Sequence, residues 1–290
     1  MHDSPEHGGD DDNLGPLIPA DVVAYYESGA ELTRLSESPQ GRLEYLRMQE
    51  LLLRYLPKPP AIILDVGGGP GVYACWLAEL GYEVHLIDPI DLHIQQAQAA
   101  SARQPQHPIA SVSIGDARHL ELEDGGADAL LLLGPLYHIV QYDERAFALK
   151  EANRVLKSGG VCFAAAISRF SSALDGLRTG AIADPDYRAM MLQDLQDGQH
   201  RNPQKGRWEF FATAYMHQPG DLRRELALAG LVHQATLGVE GPAWLLGNLA
   251  DYLESPEKTA ELMSTLKAIE AEPSVLGASA HILSIGQKPA

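Results

Sequence analysis

The sequence predicts an α/β fold: an open, mostly parallel seven-stranded sheet with helices on both faces, extended by N-terminal helices and helical cap insertions. Three observations predict it. Apolar runs of strand length alternate with helical segments between residues 61 and 167, and that alternation folds into parallel strands joined by crossover helices. The first run, Ala61 to Val66, is apolar at nearly every position, as a strand buried on both faces must be. A glycine-rich turn, Gly67 to Gly71, joins it to the next helix, at the strand end where open α/β sheets bind ligands.

Taken in order, residues 19–33 and 40–56 read as helices, the second with a broad apolar face running from Leu43 to Leu56. Pro57, Pro59 and Pro60 stop it, because proline cannot donate to the helical ladder. Strands are expected at 61–66, 83–88, 109–114, 128–133 and 161–167, and helices at 72–80, 91–103 and 143–157. Asp143 is expected to cap the last helix and Gly159–Gly160 to end it. Beyond 167 the pattern loosens. Residues 168–214 mix Pro, Gly and charge, 221–230 is a helix, 231–239 is strand-like, 241–277 is mainly helical with breaks at Pro256 and Pro273, and 280–287 is a final strand. Inserts of this length in a compact α/β domain usually cover an active site. The expected organisation is a disordered acidic tail over 1–13, a helical lid over 14–60, and one ligand-binding domain over 61–290 with inserts at 168–214 and 241–277.

Composition narrows the function classes. The formal charge is −17 over 290 residues, and no Lys or Arg precedes Arg34. An acidic surface repels phosphate backbones, so a nucleic-acid partner is not expected. There is no signal-peptide pattern and no apolar stretch long enough to span a bilayer, so a cytoplasmic location without a membrane partner is expected, as a monomer or homodimer. Cys75 and Cys162 are too few for a disulfide framework or a structural zinc site. Both fall inside apolar elements and read as small buried hydrophobes, and no metal is expected.

The informative motif is Asp65-Val66-Gly67-Gly68-Gly69-Pro70-Gly71. A dinucleotide fingerprint, G-x-G-x-x-G/A, fails when counted from Gly67, since its last position is Val72. Counted from Gly69 it fits only by running into the helix. A phosphate P-loop needs Gly-Lys-Ser/Thr, and no lysine is present. Instead the glycines fall at 67, 69 and 71, with Asp65 near the strand end. Asp88 closes the second strand about 20 residues on, where a carboxylate can accept bonds from ribose hydroxyls.

This pattern resembles motif I of the class I S-adenosylmethionine (SAM)-dependent methyltransferases, which are Rossmann-like. Gly115-Asp116-Ala117, Leu133-Gly134-Pro135 and the Leu156-Lys157-Ser158-Gly159-Gly160 turn resemble further motifs of the same family, and the resemblance covers residues 60–167. It implies SAM as cofactor, with Gly67, Gly69 and Gly71 along its methionine part and Asp65 near its ammonium. It places Asp88 and Ile90 at ribose and adenine, and Asp116 with Ala117 and Leu133 around the base. A leading helical segment covers SAM in related enzymes, which brings in Tyr26, and Arg42 ahead of Arg34 as partner for the methionine carboxylate.

Methyl transfer to an oxygen or nitrogen of a small-molecule acceptor is the expected reaction. The acceptor must sit in line with the S–CH3 bond, roughly 3 Å away, and a base is needed where the nucleophile carries a proton. Candidates stand past the fourth strand: His138 as base and Tyr137 as an orienting ring. His217 is a third candidate for the same cavity. His200, Arg201, Lys205 and Arg207 form a basic island that suits an acceptor carboxylate, and Trp208, Phe210, Phe211, Tyr215 and Trp244 are candidates to line an acceptor pocket. The competing expectations are a non-catalytic SAM-binding sensor or partner subunit and an NAD-dependent α/β oxidoreductase. An aminopropyltransferase shares the fold but usually carries an acidic polyamine site, to which no clear match is seen.

Overall fold

The computed structural model describes residues 18–202 and 210–290. The tail over 1–13 lies outside the described residues, as do Lys205, Arg207 and Trp208.

The helical lead comprises α1 (Ala20–Glu27), α2 (Arg34–Glu37) and α3 (Pro39–Tyr55). The alternating region runs β1 (Ile62–Val66), α4 (Val72–Glu79), β2 (Glu83–Asp88), α5 (Asp91–Ala102), β3 (Ser111–Ile114), β4 (Ala127–Leu132), α6 (Pro135–His138), α7 (Tyr142–Val155) and β5 (Leu156–Ser168). The remainder is α8 (Ser171–Thr179), α9 (Pro185–Asp197), β6 (Gln199–His200), β7 (Ala214–His217), α10 (Asp221–Leu228), β8 (Val232–Gly238), α11 (Leu249–Leu253), α12 (Pro256–Ile269), α13 (Pro273–Leu276) and β9 (His281–Gln287).

Strands β3-β2-β1-β4-β5 are parallel, and β9 inserts antiparallel between β5 and β8. These are the seven expected strands. The insert after β5 adds two short ones: β7 pairs with the end of β5, Ile167 opposite Met216, and β6 pairs with β7. The chain leaves β1 toward β2 and β3, then returns to place β4 on the other side. This reversal opens a crevice at the carboxyl ends of β1 and β4.

Period-two alternation divides the strand side chains between two layers. Ile63, Leu131 and Phe163 pack with Leu51 and Leu52 of α3, Leu77 of α4 and Ala97 of α5. Leu64, Leu130 and Cys162 pack with Leu149 of α7 and Leu226 of α10. A smaller cluster joins Leu43 of α3 to Leu253 and Leu266 of α11 and α12. Arg47, fully buried in α3, donates to the Val239 carbonyl at 2.9 Å and to Glu270 at 2.7 Å. A buried guanidinium is tolerated only when paired in this way, and the pairing fixes the lid helix to the sheet.

Several boundaries differ from expectation for local reasons. The segment 19–33 is not one helix: Gly29 takes φ +79° and breaks it, so Glu31 and Arg34 turn inward. Asp143 is not a cap. Gln141 holds that position without a side-chain bond, and Asp143 lies in the first turn, where its charge suits the helix dipole. The helix ends at Val155, and Gly159 sits within β5 at φ +79°. Pro256 and Pro273 start α12 and α13 rather than interrupt a helix, as proline's fixed φ favours. No helix among the described residues is long and apolar enough to cross a membrane.

Candidate active site

The glycine turn hangs from the end of β1 and is held by β2. Gly67 N–H donates to the Ile87 carbonyl at 2.7 Å, and Gly69 N–H to Asp88 Oδ2 at 2.8 Å. Gly67 has φ +71°, and a Cβ there would meet Pro135 Cδ at 2.6 Å, so only glycine lets the turn lie against α6. Above it is a cavity of 110 Å3. Asp65, Gly67, Gly69, Asp88 and Ile90 line its β1–β2 side, and Asp116, Ala117 and Leu133 its β3–β4 side. Tyr26, Tyr137 and His138 complete the wall. Gly71 is a correction: it lies outside this lining, as the residue before α4, with φ +84° and an ideal Cβ only 3.1 Å from Ala97. There it packs α4 on α5, between Pro70 and Val72, which do line the cavity.

Asp65 is 2% exposed, and its Oδ2 has no hydrogen-bond partner. Burial, and then the nearby Asp88, push its carboxyl up to about 7. An unpaired buried carboxylate is costly, and a cationic group in the cavity would supply the missing partner. Asp88 holds more of the protein than expected, since its Oδ1 accepts from Ile90 N–H at 2.9 Å and lies 3.0 Å from His93 Nδ1. With Gly69 these bonds use three of a carboxylate's roughly four acceptor positions. Asp116 accepts a forked pair from Arg118, with the shortest contact at 2.7 Å.

His138 is buried between the lid and the insert. Its Nδ1 lies 2.9 Å from the Thr213 carbonyl, which only accepts, so Nδ1 carries the proton and Nε2 accepts from the Tyr26 hydroxyl at 2.7 Å. Burial pushes His138 down to about 4. Asp21 of α1 accepts from Thr213 N–H at 2.8 Å, which docks the lid beside this histidine. Tyr137 lies edge-on to His138, ring centroids 4.8 Å apart, and burial raises its phenol above the ordinary range.

Arg42 is a second correction. It donates to the Leu253 carbonyl at 3.2 Å and lies outside the cavity lining. Arg34 lines the cavity instead, paired with Glu31 at 2.9 Å and with Glu44 at 2.6 Å. Glu44 leads on to His281 at the start of β9, 3.7 Å away, and His281 Nδ1 lies 2.6 Å from Glu240. Burial opposes charge on His281, but Glu44 and Glu240 overcome it and push the imidazole up to about 9. Three carboxylates against two cations leave this chain one net negative charge, favourable to a cation nearby. Glu44, Glu240 and His281 bring their ligand atoms within 4.8 Å of one another, but a metal ion there would have to displace the Arg34 guanidinium and the imidazole proton.

A second cavity, of 290 Å3, shares Tyr26, Glu31, Arg34, Tyr137 and His281 with the first. Phe210, Phe211 and Trp244 line it as expected; Tyr215 does not. Arg145 and Arg169 pack over the Tyr215 ring at 3.9 and 5.6 Å. His217 is a third correction: it is outside both linings, buried at the end of β7 with Nε2 3.5 Å from Glu225. Of the basic island, His200 lines the second cavity but is held by Asp194 at 2.9 Å and the Phe210 carbonyl at 2.6 Å. Arg201 is exposed near Asp197. Sequence reasoning missed Glu31, Glu44, Ser172 and His281. The signal for His281 was available: an antiparallel last strand begins at the edge where the parallel strands end.

Residues 64–164 match the family model described as a methyltransferase domain. The chain is 34% identical over 142 residues to the malonyl-[acyl-carrier protein] O-methyltransferase of Geobacter sulfurreducens, covering 49% of each. It is 30% identical over 134 residues to the ubiquinone/menaquinone biosynthesis C-methyltransferase UbiE of Caulobacter sp. (strain K31), covering 43% of this chain and 52% of that one. The chain thus spans about half the length of these curated relatives. A SAM-dependent methyltransferase from Methanosarcina mazei superposes with a TM-score of 0.55 at 20% identity, covering 82% of this chain and 97% of that one. With the glycine turn and its sheet order, these matches give residues 64–164 the likeness of a methyltransferase domain and the chain the fold of a SAM-dependent methyltransferase.

Proposed function

We propose that this protein transfers the methyl group of SAM to an oxygen or nitrogen of a small molecule held in the second cavity. The observation that carries this is the shared wall: the cavity over the glycine turn and the aromatic cavity meet at Tyr26, Glu31, Tyr137, Arg34 and His281. The first cavity fits the cofactor, since Asp65 offers an unpartnered buried carboxylate to its ammonium and the Arg34–His281 chain is net negative. Asp88, with Ile90, faces the ribose side in this reading, and Asp116 with Ala117 and Leu133 the base.

Bound there, SAM would supply an electrophilic methyl group on a cationic sulfur. The lid and the insert exclude water and set the acceptor atom along the methyl axis. As an acceptor oxygen takes the methyl, its proton passes to Tyr26 Oη, and Tyr26 passes its own to His138 Nε2. For an oxygen acceptor a base near 4 is sufficient, because an oxygen that has accepted the methyl holds its remaining proton very weakly. A methylated amine nitrogen holds its proton far more tightly and would release it to solvent instead. Tyr137 presents its ring to the same junction. The relatives named above differ in the atom their names specify, carbon or oxygen. The hydrogen-bonded Tyr26–His138 pair favours an acceptor that must lose a proton.

The test is transfer of labelled methyl from SAM into a small-molecule extract, with the label recovered in the low-molecular-mass fraction. His138→Ala and Tyr26→Phe are expected to lower kcat by about 100-fold while changing SAM affinity far less. Unchanged turnover in both would remove this proton path. SAM binding without transfer to any fraction would favour a sensor instead.

A further inference from the structure

The walls of the second cavity specify an acceptor chemistry. They are built from rings: Tyr25 packs edge-on to Phe211 at 5.2 Å between centroids, and Tyr187 edge-on to Phe210 at 5.5 Å. Phe211 is held at φ +64°, a conformation that bulky side chains rarely adopt. Its volume is 290 Å3, larger than that of the cavity over the glycine turn.

The cationic side chains on these walls already have carboxylate partners. Among the described residues, Arg34 pairs with Glu31 and Glu44, His281 with Glu240, His200 with Asp194 at 2.9 Å, and Asp175 with Arg178 at 2.6 Å. Among the described residues an anionic acceptor would find no unpaired cation on these walls, only a set that is already one charge negative, which is unfavourable. One polar group is left over. Ser172, at the start of α8, is 6% exposed and its Oγ has no hydrogen-bond partner, while its carbonyl accepts from the Tyr187 hydroxyl at 2.7 Å. That bond fixes the serine in place and leaves its hydroxyl for a ligand.

We propose that the second cavity takes an uncharged, hydroxylated aromatic acceptor, with the ring among Tyr25, Phe211, Tyr187 and Trp244 and one oxygen hydrogen-bonded to Ser172 Oγ. This rests on the assignment of the first cavity to SAM. Ser172 is a specificity residue that orients the ring, and a second oxygen is then the one offered to Tyr26.

The experiment is a calorimetric titration of the full chain saturated with S-adenosylhomocysteine, using two probes on one ring system: 2,6-dihydroxynaphthalene and 6-hydroxy-2-naphthoate. The uncharged diol is expected to bind at least roughly tenfold more tightly than the carboxylate. Ser172→Ala is expected to weaken the diol by about fivefold, the worth of one hydrogen bond, with S-adenosylhomocysteine affinity unchanged as the check that the variant is folded. Equal or tighter binding of the carboxylate, no binding of the diol, or an unaltered diol affinity in Ser172→Ala would overturn the proposal. Failure of S-adenosylhomocysteine itself to bind would instead overturn the assignment of the first cavity.

Discussion

The carboxyl of Asp65 ends β1 with one oxygen unpartnered, and burial and Asp88 push it up to about 7 from its ordinary 3.8. The folded chain therefore holds this proton more tightly than the unfolded chain does. Stability is lost as pH rises from about 4 to about 7, and the cost, on the order of a few kcal/mol, is complete above that. Asp65→Asn is expected to raise the melting temperature of the ligand-free protein at pH 8, with the difference from wild type shrinking toward pH 4. An asparagine variant less stable than wild type at pH 8 would show that the carboxylate is not strained. This residue was legible in sequence because it stands near the end of an apolar strand, just before a glycine turn. The partners of His138 were not, because Tyr26 and Thr213 are 112 and 75 residues away and meet it only once α1 docks on β7.

At the scale of elements, the lid is held by charge. Arg34 of α2, Glu44 of α3 and His281 of β9 form one connected set, and His281 is pushed up to about 9. A histidine raised in the folded state contributes stability that is fully present below about 6.5 and is lost as pH rises through about 9. Wild type should lose melting temperature between pH 7 and 10 more steeply than His281→Asn does, and parallel profiles would mean that the imidazolium does not hold the lid. The sequence indicated helices over 19–56 but not which arginine turns inward. That choice follows from Gly29, whose left-handed φ ends α1 and redirects the chain, and periodicity carries no information about such a break. Asp143 shows the same limit, since a cap moved by two residues, to Gln141, turns an expected cap into a first-turn charge. His217 was misplaced because β7 is a short strand added by pairing with β5, and nothing local in its sequence says which side of the sheet edge it meets.

For the whole molecule, residues 61–167 were legible because buried parallel strands and their crossover helices write their burial directly into hydropathy. Helices of the 168–214 and 241–277 inserts instead pack on one another and on the lid, as Leu43, Leu253 and Leu266 do. Long-range partners of that kind leave little periodic trace. The same inserts supply much of the second cavity, which explains why the first cavity was readable and the second was not.

The central claim is that the turn after β1 and the buried carboxylate beneath it accept a cationic nucleoside without a pyrophosphate. Titration calorimetry of SAM and of NAD into wild type and Asp65→Asn, from pH 6 to pH 8.5, tests it most directly. SAM should bind wild type with an affinity that climbs as Asp65 ionises through about 7, the asparagine variant should bind SAM more weakly and without that climb, and NAD should give no heat. Binding of NAD to wild type, or SAM affinity identical in the two proteins across the range, would contradict the account.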